Sequence, residues 1–145
     1  VVAFMLELLQ PKRGNKILDI GSGSGWTTAL LAEIVGKEGR VIGVELIEEL
    51  ARFGKKNISQ YNFIKEGRAR VVNADGKRGY PEDAPFDRIL ASAQGKKVPK
   101  AWKRQLKKEG RIVAPVGHSI WLLHKTDKGK FKKQEHKGFS FVPLK

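Results

Sequence analysis

The sequence predicts an α/β protein with a doubly wound, mostly parallel sheet that ends in an antiparallel hairpin. Short β-like runs alternate with helical patterns over most of the chain, and three β-like runs then follow one another without a helix between them. Strands that alternate with helices form right-handed βαβ units, which build parallel sheets with a helix layer on each face. Because the last strands lack a crossover helix, at least one of them is expected to pair antiparallel.

The individual elements follow from apolar patterning and from glycines at the joints. Aliphatic runs bounded by turn residues predict strands at 16–20, 40–45, 69–73, 86–91, 111–115, 119–124 and 131–136. Helical spacing of apolar residues predicts helices at 1–9, 26–35, 48–58 and 100–107. Residues 127–130 predict the turn of the last hairpin, since Gly129 can adopt a positive φ.

Length and composition predict one domain over residues 1–145. A hydrophobic content of 40% is sufficient for one core at this length. No apolar run approaches the roughly 18–20 residues that span a bilayer, so no integral membrane protein is expected. The chain has no Cys, which excludes disulfides, zinc–thiolate sites and cysteine nucleophiles and fits a cytoplasmic protein.

The net charge of +14 is concentrated in the last third of the chain. Residues 1–95 carry 14 basic and 12 acidic side chains, whereas residues 96–145 carry 15 basic and 3 acidic ones. Such a field attracts phosphate backbones or acidic partners over a Debye length of about 8 Å at physiological salt. Residues Lys96–Lys145 are therefore a candidate surface for a nucleic acid or an acidic partner; a solvated lysine-rich surface is the alternative.

A glycine loop connects the first predicted strand to the following helix. Gly21, Gly23 and Gly25 alternate with serines, so the backbone can turn sharply and a ligand can approach its N–H groups. In open α/β sheets this crevice binds nucleotides. The Lys-Ser/Thr pair of a phosphate-binding P-loop is absent, and Trp26 occupies the position where a dinucleotide fingerprint needs glycine.

Three carboxylates accompany this loop at the ends of successive strands. Asp19 stands two residues before Gly21 and suits a ligand with an ammonium or sulfonium group, because a pyrophosphate favours a helix N-terminus without nearby carboxylates. Glu45 ends the second strand and can accept from both hydroxyls of a ribose. Asp75, which precedes Gly76, follows the third strand and is a candidate acceptor for an adenine amino group.

This constellation resembles the S-adenosylmethionine-dependent methyltransferases with a Rossmann-like fold. The run Asp19-x-Gly21-x-Gly23-x-Gly25 is similar to their first motif, and Glu45 is similar to their ribose-binding acid. The resemblance implies S-adenosyl-L-methionine as cofactor, with its methionine part over the glycine loop and its adenine near Asp75. The implied cofactor-binding residues are Asp19, Gly21, Ser22, Gly23, Ser24, Gly25, Glu45, Asp75 and Gly76.

The rest of the chain resembles one family, the protein-L-isoaspartate O-methyltransferases. The similarity runs through residues 2–9, 17–26, 73–76, 79–87, 106–117 and 139–144, and its most specific parts are 79–87 and Val142-Pro143-Leu144. It implies methyl transfer to the α-carboxylate of L-isoaspartyl residues in damaged proteins, which is a repair reaction on protein or peptide substrates. Such a carboxylate is already ionised at pH 7, so no general base is needed.

The sequence departs from that family in two places. The family normally carries an N-terminal segment before the position of Val1, with a Ser/Thr motif that helps form the cofactor lid and the isoaspartyl pocket. Residues 91–99 replace the usual Thr/Gly-Ala-Ala pattern and add lysines; here Ser92 is the candidate for substrate contact, with a simple turn residue as the alternative. The histidines, at His118, His124 and His136, show no metal-ligand pattern, so no metal is expected.

The sequence leaves two alternative functions open. One is an RNA methyltransferase that uses the basic residues 96–145, although no Asp/Asn-Pro-Pro-Tyr-like motif follows the fourth strand, where Ser92-Ala93-Gln94 stands. The other is a cofactor-binding homologue without repair activity.

Overall fold

A computed structural model describes residues 1–139 of the chain, in which helices and strands alternate up to the last three strands. The elements are α1 (Val2–Leu9), β1 (Lys16–Ile20), α2 (Trp26–Val35), β2 (Arg40–Glu45), α3 (Glu48–Ile58), β3 (Ala69–Asn73), β4 (Phe86–Ala91), α4 (Lys100–Gln105), β5 (Leu106–Val116), β6 (Ser119–Lys125) and β7 (Phe131–Lys137), with short 3₁₀ turns at Gly76–Arg78 and Pro81–Asp83.

The strands form one sheet in the order β3-β2-β1-β4-β5-β6-β7. Strands β1 to β5 pair parallel, and β5, β6 and β7 pair antiparallel. This confirms the predicted α/β fold with a mostly parallel sheet and places two antiparallel pairings at its C-terminal side. Gly129 adopts a φ of 80° in the turn between β6 and β7, as the sequence predicts.

The order of the strands creates a crevice between β1 and β4. From β1 the chain proceeds outward through β2 to β3, and it then returns to the other side of β1 to form β4 and β5. At such a switch point the connections leave in opposite directions, so a crevice opens at the carboxyl ends of the strands. We call this side of the sheet the carboxyl edge; it carries the glycine loop.

Apolar side chains fill both faces of the sheet, which explains why β1 and β2 read as nearly continuous apolar runs. One core cluster lies under α1, α2 and α3 and includes Met5, Leu31 and Ile58. The other lies under α4 and includes Phe86 and Trp102. Among residues 1–139 no helix combines the length and the apolar character that crossing a membrane requires.

The boundary between α4 and β5 differs from the prediction. The helix ends at Gln105 rather than at 107, and the strand begins at Leu106 rather than at 111. The reason is a bulge: Phe86 pairs with Leu106, but Arg88 two residues later pairs with Arg111. The bulged residues 107–109 are two lysines and a glutamate, which carry no apolar signal of a strand. The family-specific ending Val142-Pro143-Leu144 lies outside the described residues.

Candidate active site

The glycine loop is attached to the end of β2 by its own backbone. The N–H groups of Gly21 and Ser22 donate to the carbonyl of Val44 at 2.8 and 3.2 Å, and the N–H of Gly25 donates to the carbonyl of Ser22 at 2.9 Å. Gly21 and Gly25 adopt φ values of 76° and 87°. Because residues with a β-carbon rarely adopt this conformation, the loop requires glycine at these positions.

Helix α3 packs directly against the loop, backbone to backbone. A β-carbon at Gly54 would lie 2.7 Å from the carbonyl oxygen of Gly23, and one at Gly25 would lie 2.8 Å from the carbonyl oxygen of Gly54. On the next turn of the helix, Nδ2 of Asn57 donates to the carbonyl of Ser24 at 2.9 Å. Gly54 and Asn57 were not predicted as site residues; a glycine inside an amphipathic helix was the available signal.

Asp19 lies at the end of β1 beneath the loop and is fully buried. The hydroxyl of Thr28 donates to its Oδ2 at 2.7 Å, whereas Oδ1 has no hydrogen-bond partner within residues 1–139. Burial raises the pKa of Asp19 from 3.8 to about 7; the hydrogen bond from Thr28 lowers it and the charge of Glu45 raises it. A buried carboxyl with one free oxygen is stabilised in its ionised form by a cationic group.

Glu45 connects the end of β2 to the glycine loop. Its Oε1 accepts from the N–H of Gly23 at 2.8 Å, and its Oε2 accepts from the N–H of Ile47 at 3.2 Å. Each carboxylate oxygen can accept a second hydrogen bond, so both remain available to a pair of ligand hydroxyls.

Asn73, which was not among the predicted site residues, supports Glu45 from the neighbouring strand. It pairs with Glu45 in the register of β2 and β3. Its Nδ2 donates to the carbonyls of Glu45 and Leu46 at 2.9 and 2.8 Å. A polar residue at the carboxyl end of a strand was the only signal for it in the sequence.

The two loop serines occupy different environments. Ser22 is buried, and its Oγ has no hydrogen-bond partner in the part of the chain that the structure describes. Ser24 is exposed. The close approach of Ser22 and Thr28 to β2 depends on Gly43, where a β-carbon would lie 2.8 Å from Oγ1 of Thr28.

Asp75 and Gly76 lie at the same edge, after β3, but face in different directions. Asp75 is exposed, and its Oδ1 accepts from the N–H of Lys77 at 3.0 Å. Gly76 is buried against β1: its carbonyl accepts from Nε1 of Trp102 at 2.7 Å, and a β-carbon there would lie 2.5 Å from Cγ2 of Ile20. A small cavity of about 140 Å³ adjoins Asp75.

Ser92 lies across the crevice from the carboxylates, directly after β4. Its N–H donates to the carbonyl of Ile20 at 3.0 Å, and its side chain is half-buried. The methyl group of the following Ala93 lies 3.7 Å from where a β-carbon of Gly21 would stand. The structure therefore brings the Ser92 segment beside the glycine loop.

His124 and His136 lie away from this cluster, whereas His118 follows Gly117, whose N–H donates to the carbonyl of Gly95 at 3.1 Å. His118 is in the exposed turn between β5 and β6. Nε2 of His124 lies 3.5 Å from Oε2 of Glu109 at the opposite edge of the sheet, and the ring of His136 packs edge-on against Phe4.

Comparison with known proteins agrees with this arrangement. The family model of protein-L-isoaspartate(D-aspartate) O-methyltransferase (PCMT) matches residues 1–145. The chain is 43% identical over 148 residues to the protein-L-isoaspartate O-methyltransferase of Methanopyrus kandleri, covering 99% of this chain and 65% of that protein. It is 39% identical to protein-L-isoaspartate O-methyltransferase 2 of Archaeoglobus fulgidus, covering 100% of this chain and 66% of the relative. The chain thus spans just under two thirds of these relatives.

Solved structures share the fold over nearly the whole chain. A protein-L-isoaspartate O-methyltransferase superimposes with a TM-score of 0.89 at 26% identity, covering 99% of this chain and 46% of that one. A Plasmodium falciparum structure assigned as a β-aspartate methyltransferase, in complex with S-adenosyl-L-homocysteine, superimposes with a TM-score of 0.86 at 25% identity. The match covers 99% of this chain and 72% of that one. The chain belongs to the protein-L-isoaspartate O-methyltransferase family.

Proposed function

We propose that this protein transfers a methyl group from S-adenosyl-L-methionine to the α-carboxylate of L-isoaspartyl residues in damaged proteins. The observation that carries the proposal is the juxtaposition of the buried carboxyl of Asp19, the glycine loop and Glu45 at one edge of the sheet, in a chain of this family. The complex of the Plasmodium relative with S-adenosyl-L-homocysteine supports the choice of cofactor.

The residues present fit this cofactor. Oδ1 of Asp19 and Oγ of Ser22 are buried polar atoms without partners among the described residues, and each can bind the charged end of a methionine moiety. The oxygens of Glu45 retain acceptor capacity for a ribose diol. Gly23 leaves open space, since the nearest atom to a β-carbon there would be 4.0 Å away. Asp75 is exposed beside a small cavity and can accept from an adenine amino group.

Positioning is the main task of this site. When bound, the cofactor supplies a methyl group on a sulfonium sulfur, and transfer forms one C–O bond, breaks one C–S bond and leaves a neutral thioether and an ester. The acceptor carboxylate is ionised at pH 7, so no side chain has to remove a proton. Glu45 fixes the loop through Gly23, and α3 supports the loop through Asn57. In this proposal the half-buried hydroxyl of Ser92, beside the loop, donates to the substrate carboxylate. Alignment of reacting atoms can supply much of such a rate enhancement.

The test is methylation of an isoaspartyl peptide beside its aspartyl twin, with a methyl-labelled cofactor. We expect base-labile label in the isoaspartyl peptide only. A Ser92→Ala variant, with the exposed Ser59→Ala at the end of α3 as its control, reports whether Ser92 contacts the substrate: its KM for peptide should rise while its affinity for cofactor stays constant. Equal labelling of both peptides would contradict the repair reaction, and cofactor binding without any turnover would indicate a binding homologue.

A second candidate is methyl transfer to RNA, which the surplus of 15 basic over 3 acidic residues in 96–145 favours. Its signature is label in total RNA, together with binding that weakens steeply as salt increases. Label in the isoaspartyl peptide and none in RNA would reject it.

A further inference from the structure

A mostly basic surface covers α4 and the face of the β6–β7 hairpin beside it, and Glu135 lies on it between two lysines of β7. We call it the basic face; its cations are Lys96, Lys97, Lys100, Lys103, Arg104, Lys125, Lys133 and Lys137. Contacts between three of its lysines and two aromatic rings of the hairpin show how α4 and the hairpin adjoin. Nζ of Lys133 lies 4.0 Å from the ring centroid of Trp121, and the ammonium groups of Lys103 and Lys125 lie 5.6 and 5.7 Å from the centroid of Phe131.

One end of the basic face lies at the active site. Gly95 pairs with Val116, Val116 with Ser119, and Ser119 with Lys137, so a single lateral row joins the Ser92 segment to Lys137. Neighbouring strands are about 4.8 Å apart, which places Lys137 about 14 Å from Gly95 along this row. Lys97 and Lys100 follow Gly95 at the same edge and are exposed, as is Lys137.

These three lysines carry charge that the described chain does not neutralise. Within residues 1–139, no carboxylate oxygen lies within 4 Å of Nζ of Lys97, Lys100 or Lys137. By contrast, Lys125 donates to the carbonyls of Lys103 and Leu106 at the end of α4, and Lys133 has Glu135 at 3.8 Å. Lys97, Lys100 and Lys137 therefore belong, with the exposed Lys96, to the part of the basic face that is available to a ligand beside the substrate site.

The geometry points to an acidic peptide substrate: Lys97, Lys100 and Lys137 bind carboxylates that flank the isoaspartyl residue. This inference rests on the proposed function and adds a substrate class to it. An extended peptide rises about 3.3 Å per residue, so some four residues cover the distance of about 14 Å between Gly95 and Lys137.

A polypeptide fits the surface better than a nucleic acid does. Single-stranded nucleic acids bind through bases stacked on free aromatic faces as well as through phosphate contacts. On the basic face, the rings of Trp121 and Phe131 already have lysine ammonium groups over them. Carboxylates require only the free ammonium groups at the carboxyl edge.

The experiment compares three isoaspartyl peptides that are identical except for two residues about four positions from the isoaspartyl group: Glu, Gln or Lys. Dissociation constants are measured by fluorescence anisotropy and KM values by methyl transfer, at low and high salt. At low salt we expect about tenfold tighter binding of the Glu peptide than of the Gln peptide, and a smaller difference at high salt. Equal dissociation constants for the Glu and Gln peptides would overturn the inference, whether or not methyl transfer occurs. Failure to methylate any of the three peptides would contradict the proposed function instead.

Two triple variants of equal charge locate the effect. Lys97→Gln/Lys100→Gln/Lys137→Gln should abolish the preference for Glu. The control, Lys108→Gln/Lys128→Gln/Lys132→Gln, removes exposed lysines from the opposite edge, the hairpin tip and the other face of β7, and it should keep the preference. If both variants lost the preference for Glu equally, net charge alone would explain it and the inference would be overturned. Tighter binding of oligouridylate than of the Glu peptide at equal ligand charge, lost in the first variant, would overturn it in favour of a nucleic acid.

Discussion

The hydroxyl of Thr28 donates a 2.7 Å hydrogen bond to Oδ2 of Asp19 and so joins the first turn of α2 to the end of β1. Both residues are fully buried. The pair fits because β2 has a glycine, Gly43, where any β-carbon would lie 2.8 Å from the Thr28 hydroxyl. One hydrogen bond does not replace the hydration that a buried carboxylate loses. The pKa of Asp19 is therefore raised to about 7, chiefly by burial.

The first prediction concerns stability against pH. Because the pKa of Asp19 is about 7 in the folded protein and 3.8 without burial, the folded state binds its proton more tightly than the unfolded state does. The stability linked to this proton is fully present below about pH 4 and is lost as the pH rises to about 7. A shift of this size corresponds to about 4 kcal/mol in the free energy of unfolding. An Asp19→Asn variant has no such loss.

The measurement is urea unfolding of the wild type and Asp19→Asn at several pH values between 4.5 and 8. Other titrating groups cancel in the difference between the two free energies of unfolding. That difference should move in favour of the variant as the pH rises and should level off above pH 7. A difference that is independent of pH would show that Asp19 titrates near its ordinary pKa.

The second prediction concerns proton release on cofactor binding. At pH 6 most of Asp19 is protonated, since its pKa is about 7. A cationic cofactor group beside Oδ1 favours the ionised form, so binding should release close to one proton. Calorimetry of S-adenosylmethionine binding at pH 6, in two buffers of different ionisation enthalpy, measures this number. Asp19→Asn should bind at least tenfold more weakly and release no proton; release that persists in the variant would assign the proton to another group.

The common edge of the candidate site residues could be predicted from the sequence, but the contacts between them could not. Asp19, Glu45 and Asp75 were recognisable because each follows an apolar run at a strand end, and parallel strands bring such ends to one edge. Asn73 was missed because its role depends on its register partner, Glu45, and register between distant strands is not visible in a single sequence. Gly54 was missed for the same reason, since only the packed structure shows the loop carbonyl against it.

The bulge in β5 could not be predicted from the apolar pattern of the sequence either. Residues 107–109 are exposed and charged, so nothing in their chemistry distinguishes a bulged strand from the end of a helix. Gly110 makes the bulged strand possible, because a β-carbon there would lie 2.7 Å from the carbonyl of Lys107 and 2.8 Å from that of Asp87. Glycine at this position permits the close approach of β4 and β5.

The third prediction tests the contact between α3 and the glycine loop through Gly54→Ala. Alanine is favoured over glycine inside a helix by about 1 kcal/mol. The new β-carbon, however, would lie 2.7 Å from the carbonyl of Gly23, and overpacking of this kind costs about 1–3 kcal/mol. Because the obstacle is backbone, the loop itself must move. We therefore expect little gain or a net loss of stability, with cofactor affinity reduced about tenfold or more.

The control for this variant is Lys55→Ala, which changes an exposed position on the same helix. Chemical unfolding gives the stability of each variant, and calorimetry gives its affinity for S-adenosylmethionine. Lys55→Ala should leave both nearly unchanged. A Gly54→Ala protein that is more stable than the wild type and binds the cofactor equally well would show that the loop tolerates the displacement.

The fourth prediction separates Glu45 from Asp75, the two carboxylates at the ends of β2 and β3. Glu45 is almost fully buried and accepts backbone N–H groups on both oxygens, at Gly23 and Ile47. Glu45→Gln retains one acceptor and turns an NH₂ group toward the other N–H, which leaves a buried donor without an acceptor. Hydrogen bonds to charged groups contribute about 1.5–3 kcal/mol, so the affinity for cofactor should fall about 10- to 100-fold and the protein should be less stable.

Asp75→Asn should have a much smaller effect, because Asp75 is exposed and asparagine can still accept from the N–H of Lys77. Calorimetry of S-adenosylmethionine and of S-adenosylhomocysteine with both variants measures the difference. S-adenosylhomocysteine has the same ribose but lacks the sulfonium charge, so loss of a ribose contact should weaken both ligands by the same factor. If Glu45→Gln weakened only the charged ligand, the role of Glu45 would be electrostatic. A larger loss of cofactor affinity in Asp75→Asn than in Glu45→Gln would show that Asp75, rather than Glu45, is the main carboxylate that anchors the cofactor.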